Sequence, residues 1–114
     1  MAQFDVHRNA GPLSDSIPFV VVVQSALYDG YRRRMVVPLV RRTSLSGGGA
    51  ASVGAASNTR LNPTFTVKGV SVVLHPLDMV SVALGALGPR VGSLAESGQA
   101  IADALDELLS RSWG

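Results

Sequence analysis

Seven consecutive apolar residues, IPFVVVV from Ile17 to Val23, limit what this chain can fold into more than any other stretch. β-Branched side chains are stiff at χ1 and pack well on a pleated surface, so the run reads as a strand. It carries no polar alternation, which asks for cover on both faces of the sheet. Pro18 cannot donate a ladder hydrogen bond and belongs near the strand's start or at an edge. A bilayer span needs about 20 apolar residues. The run also follows the polar Ser14–Asp15–Ser16 and lacks the layout of a signal peptide. The chain therefore reads as soluble and cytoplasmic, with no membrane contact.

The remaining segments supply partners for that strand. QFDVH (Gln3–His7) alternates, with Phe4 and Val6 on one face, and predicts a half-buried opening strand. After the turn chemistry of Asn9–Ser16 and the connection Ser25–Tyr31, with its Asp29–Gly30 turn signal, RRMVVPLV (Arg33–Val40) predicts another strand. Pro38 implies an edge or a bulge there. TFTV (Thr64–Val67) and VSVVL (Val70–Leu74) flank Lys68–Gly69, a two-residue hairpin signal. His75–Asp78 turns the chain, and Met79–Leu87 predicts a last strand, irregular near Gly85. Between the third and fourth strands, Thr43–Asn58 is built of Ser, Gly and Ala, which cannot anchor a core. It is expected to be a flexible loop within a single domain spanning 1–114.

The closing element is an amphipathic helix. Ser93–Leu94–Ala95–Glu96 matches a capping box. Leu94, Ile101, Leu105, Leu108 and Leu109 then recur at helical spacing, with Glu96, Gln99, Asp103, Asp106 and Glu107 facing elsewhere. Gly98 weakens the first turns by about 1 kcal/mol relative to alanine. Five or six short antiparallel strands with one C-terminal helix make an α+β domain, a small barrel or curled sheet with the helix on one side.

The chemistry is sparse. None of the 114 residues is cysteine, which fits a reducing compartment and leaves no thiol nucleophile. His7 and His75 lie on different elements, so no metal site or cofactor is expected, and His75 reads as a surface histidine in a turn. The glycines Gly47–Gly49 lack the Lys-Ser/Thr ending of a phosphate loop. Net charge is +2, and nine of the ten cations are arginine, Lys68 being the exception. Arg32–Arg34 and Arg41–Arg42 bracket the third strand. They read either as a solvated, charge-protected strand edge or as a patch for phosphate or an acidic partner. Few aromatics interleave with them, so direct nucleic-acid readout is not expected.

The sequence runs out with LLSRSWG, placing its one tryptophan, Trp113, where chains usually fray. Either Trp113 folds back near Leu109 or onto a dimer interface, or it is held out for a partner. For the dimer itself, Asp78–Leu84 is the candidate strand, with Met79, Val80, Ser81 and Val82 at its centre. Its exposed face is too apolar for a monomer, and isologous pairing about a two-fold axis is the commonest solution.

Taken in order, QFDVH, VVVVQSALYDGYRRRMVVPLV, RLNPTFTVKGVSVVL and VGSLAESGQAIADALDELL resemble the CcdB family, toxins of type II toxin–antitoxin modules. RRMVVPL and RLNP are the most specific parts. The resemblance implies a small SH3-like antiparallel β-barrel or sheet with one C-terminal helix. It implies a cytoplasmic homodimer that works by binding, without catalysis or cofactor, in roles such as plasmid maintenance. Such a toxin binds the A subunit of DNA gyrase, traps the enzyme on cleaved DNA, and is neutralised by a CcdA-like antitoxin whose disordered C-terminal segment wraps it. The family's gyrase contact is a Trp-Gly-Ile ending. Trp113 and Gly114 match its first two positions, with Ser112 beside them and Leu27 and Tyr28 contributing from the strand connection. An indole held out in this way stacks well on an arginine of the target, and tryptophan is an enriched interface anchor.

Two alternatives stay open. The ending lacks the family's isoleucine, which allows a non-toxic relative that keeps the dimer and antitoxin binding. A ribonuclease of the related MazF-like toxins would use Arg33, Arg34 and Thr43 to stabilise charge on a transferring phosphoryl group.

Overall fold

The longest strand, Arg33–Arg41, is the spine of the molecule. The computed structural model describes residues 2–43 and 60–109. In chain order it contains β1 (Asp5–Arg8), β2 (Phe19–Val22), β3 (Arg33–Arg41), β4 (Thr64–Val67), β5 (Val70–Leu74), β6 (Val80–Ala83), β7 (Arg90–Ser93) and the helix α1 (Gly98–Leu109). All pairings are antiparallel, in the order β4-β5-β3-β2-β1-β7, with β6 joining β3 off that path. The result is a curled half-barrel with one C-terminal helix, an α+β fold. The expected loop Thr43–Asn58 lies, apart from Thr43, outside the described residues, as do Ser112, Trp113 and Gly114.

Along one edge β3 pairs with β2, setting Phe19 opposite Leu39 and Val21 opposite Val37. Along the other it changes partner: Arg33–Val36 face β6, and Leu39–Arg41 face β5. Pro38 sits at this change. The expectation of an edge strand or bulge is therefore corrected, since Pro38 lies in the sheet's central strand. A strand residue's N–H and C=O point to the same side, and the Pro38 carbonyl accepts from the His75 N–H at 3.1 Å. The missing N–H thus faces the gap between β5 and β6, where no ladder partner waits.

Val6, Phe19, Val21, Val37, Leu39, Val72 and Leu74 from the sheet close around Ile101 and Ala104 from α1. Val40 and Val73 form a smaller cluster with Ile17. Val21 and Val22, neighbours on opposite faces of β2, are both fully buried, as the unalternating valine run requires. The β4–β5 hairpin turns on Lys68 (φ 53°) and Gly69 (φ 77°), the two positive-φ positions of a type I′ turn.

Three local readings change. Phe4 is not in β1; it takes φ 70°, its N–H donating to Val22 O at 2.6 Å and its carbonyl accepting from Leu94 N–H at 2.8 Å. Its ring still packs on the same core as Val6. Ser93 does not cap the α-helix: it ends β7, and its Oγ accepts from Ala95 N–H at 3.1 Å to start a 3-10 turn, Ala95–Ser97, ahead of α1. The strand β7 lies beyond Met79–Leu87, the last strand expected from sequence. Its addition to β1 brings a register shift between Val6 and His7.

Candidate functional site

The connection between β2 and β3 shows how a short segment can be held rigid while exposing its apolar side chains. A 3-10 turn, Ala26–Tyr28, begins with Ser25, whose Oγ accepts from the Leu27 N–H at 3.2 Å. None of the turn's residues is buried. Leu27 is 85% exposed, Tyr28 53% and Tyr31 68%. Tyr28 and Tyr31 meet edge to face at 6.1 Å between ring centroids, a favoured aromatic geometry. With Gln24 they line an open hollow of about 330 Å³.

Polar side chains stand in for a core here. Gln24 donates through Nε2 to Tyr28 O at 3.1 Å and Arg33 O at 3.3 Å, and its Oε1 accepts from Met35 N–H at 3.1 Å. Arg34 lies beneath the segment, its side chain only 4% exposed. It donates from Nη1 to Tyr31 O and Arg33 O, and from Nη2 to Asp29 O at 2.8 Å. The Asp29 carboxylate is 3.7 Å away.

The adjacent Arg33 points to β6. Its Nε donates to Ser81 Oγ at 2.7 Å and its Nη2 to Ser81 O at 2.8 Å. Arg33 lies in register with Ala83, Arg34 with Val82, Met35 with Ser81 and Val36 with Val80. β3 therefore joins the two predicted surfaces that fall within the described residues: the Leu27–Tyr28 turn and the candidate interface strand Asp78–Leu84. Of the latter only Val80–Ala83 is strand, Met79 preceding it and packing against the main core. Val80 is 49% exposed, with Leu77 (65%) and Leu84 also at the surface. Among the described residues, the edge of β6 away from β3 has no strand partner.

The reading of the basic residues as a solvated edge or a free patch changes for Arg34, which is buried; Arg32, Arg33 and Arg42 are exposed. Arg33 and Arg34 are committed as above, and Arg41 Nε donates to Asp15 O at 2.9 Å. The histidines stay apart. His7 is buried with Nδ1 2.9 Å from Gly88 O. His75 is not a surface residue: its side chain is 13% exposed and lies 3.0 Å from the Asp78 carboxylate. Among the described residues, no group of three or more His, Asp or Glu side chains is placed to hold a metal ion, and no helix is long and apolar enough to cross a membrane.

Sequence reasoning missed Gln24, Tyr31 and the burial of Arg34 against the connection. The one available signal was strand alternation, which turns consecutive arginines to opposite faces and so sends one of Arg33 and Arg34 away from the other.

Comparison with known families decides which fold family this half-barrel is. The description CcdB protein matches residues 3–110, nearly the full length. The chain belongs to the CcdB family. No curated protein matches it significantly. Membership in the CcdB family supports a toxin of the CcdB type, one half of a toxin–antitoxin pair.

Proposed function

We propose that this CcdB-family chain poisons DNA gyrase: as a homodimer it binds the A subunit and holds the enzyme on cleaved DNA, until a CcdA-like antitoxin removes it. The observation that carries the proposal is the family match over residues 3–110, which takes in every strand and the helix. The β2–β3 connection supports it physically. Tyr28 is the kind of side chain that anchors interfaces, Leu27 adds apolar surface beside it, and both stand exposed on a turn fixed by hydrogen bonds. Pre-organisation of this kind lowers the ordering cost of binding. Ser112, Trp113 and Gly114 are assigned to the same contact, and Met79, Val80, Ser81 and Val82 to the dimer.

Action by binding rather than catalysis is part of the proposal. The ribonuclease alternative needs free guanidinium groups at both Arg33 and Arg34, yet Arg34 is buried against backbone carbonyls, and Arg33, though exposed, is turned onto Ser81. Calorimetric titration of the gyrase A subunit with the chain tests the contact. Saturable binding that weakens at least tenfold in Leu27→Ala and in Trp113→Ala is expected. Equal affinity for all three proteins removes these residues from the contact, and absence of wild-type binding removes gyrase as the target.

A further inference from the structure

We propose that Arg34 is a positioning residue for the target-binding turn: its buried guanidinium is the template on which Asp29–Arg33 is shaped, so that Leu27 and Tyr28 are presented in one conformation. The role in target binding rests on the gyrase reading above; the clamp itself does not.

Three observations lead to it. The turn Ala26–Tyr28 buries no residue, so apart from the exposed edge-to-face contact of Tyr28 with Tyr31 it has no apolar packing to fix its shape, and segments with little buried apolar contact open easily. Arg34 is a full charge withdrawn from water, which is costly unless its donors are matched. The acceptors found by its two terminal nitrogens are the main-chain oxygens of Asp29, Tyr31 and Arg33, with the Asp29 carboxylate 3.7 Å away, while its Nε stays buried without a hydrogen-bond partner among the described residues. Every acceptor belongs to this short connection or to the strand end that receives it. A planar fork suits several fixed carbonyls at once, whereas lysine offers a single point charge. Arg34 also lies in register with Val82 of β6. The position of the turn is therefore referred to the strand proposed for the dimer, and target and dimer surfaces share one rigid strand.

Native-state amide exchange tests the clamp without any target. Tyr28, Asp29 and Tyr31 each donate a backbone hydrogen bond within the connection, at 3.0, 3.2 and 3.1 Å, and so have protection to lose. The comparison is wild type, Arg34→Lys, Arg34→Gln and Val72→Ala, the last a core truncation that lowers global stability away from the turn. Exchange at Tyr28, Asp29 and Tyr31 is expected to accelerate about 10- to 100-fold in the Arg34 variants, the loss typical of charge-assisted hydrogen bonds. Val72→Ala should move these amides only as far as it moves the rest of the sheet. If Arg34→Gln does not fold, Arg34→Lys and the milder Asp29→Asn decide.

Turn amides that exchange in the Arg34→Lys variant no faster than in Val72→Ala overturn the clamp. Gyrase A-subunit titration of the same proteins then tests positioning. Binding about tenfold weaker in Arg34→Lys, with its Tm near wild type, supports it; unchanged affinity despite a loosened turn overturns it. A wild-type chain that does not bind gyrase sinks the functional reading, while the exchange experiment still decides the clamp.

Discussion

Lys68 is held at φ 53° in the β4–β5 turn, a conformation that a non-glycine side chain resists by about 1–2 kcal/mol and that asparagine accepts far more readily. Lys68→Asn is therefore expected to raise unfolding stability by about 0.5 kcal/mol, read from the denaturant midpoint at unchanged slope. Gly98 behaves in the opposite sense. On helix propensity alone Gly98→Ala should stabilise, but an added Cβ would stand 2.7 Å from the Phe4 ring. Overpacking outweighs propensity, and a net loss of about 1–2 kcal/mol is expected by the same measurement. The two positions also show where sequence is sufficient. Lys68–Gly69 was legible because a hairpin turn is encoded in its own two residues. Gly98 was not, because its reason is a ring ninety-four positions earlier in the chain, held there by a positive-φ Phe4.

At the scale of elements, α1 is tied to the sheet by very few side chains. Ile101 and Ala104 are fully buried, whereas Leu109 is 65% exposed. Ile101→Ala should cost about 2–5 kcal/mol and Leu109→Ala less than about 0.5 kcal/mol, a contrast that chemical denaturation resolves. Periodicity placed both residues on one apolar stripe. It could not show that the stripe outlasts the sheet it packs on. The strands follow the same pattern. Phe19–Val22 and the hairpin were readable from composition and turn chemistry, which act locally. The position of Pro38 in a central strand and the existence of β7 were not, because each depends on a partner supplied from far along the chain: the junction of β5 and β6 for the first, β1 for the second. The turn that carries Leu27 and Tyr28 was found by resemblance, while its support by Gln24 and Arg34, although local in sequence, depends on which way each side chain folds over the turn, and periodicity does not settle that.

Over the whole molecule, adjacent residues of β3 join a curled sheet, an apolar edge at β6 that has no strand partner among the described residues, and an exposed turn held by hydrogen bonds. The dimer proposal is open to direct test at the edge. Val80→Arg places a charge among exposed apolar side chains and should convert a dimer of the wild-type chain to monomer at micromolar concentration, measured by light scattering after size exclusion. A variant that keeps the wild-type mass puts the interface elsewhere. The central claim is that this CcdB-family protein traps gyrase on DNA. The measurement that meets it most directly is a gyrase cleavage assay on supercoiled plasmid, with and without the purified chain. Linear DNA accumulating with added protein, and released when a CcdA-like antitoxin segment is supplied, is the predicted result. Undisturbed supercoiling with no linear product at micromolar protein would contradict it.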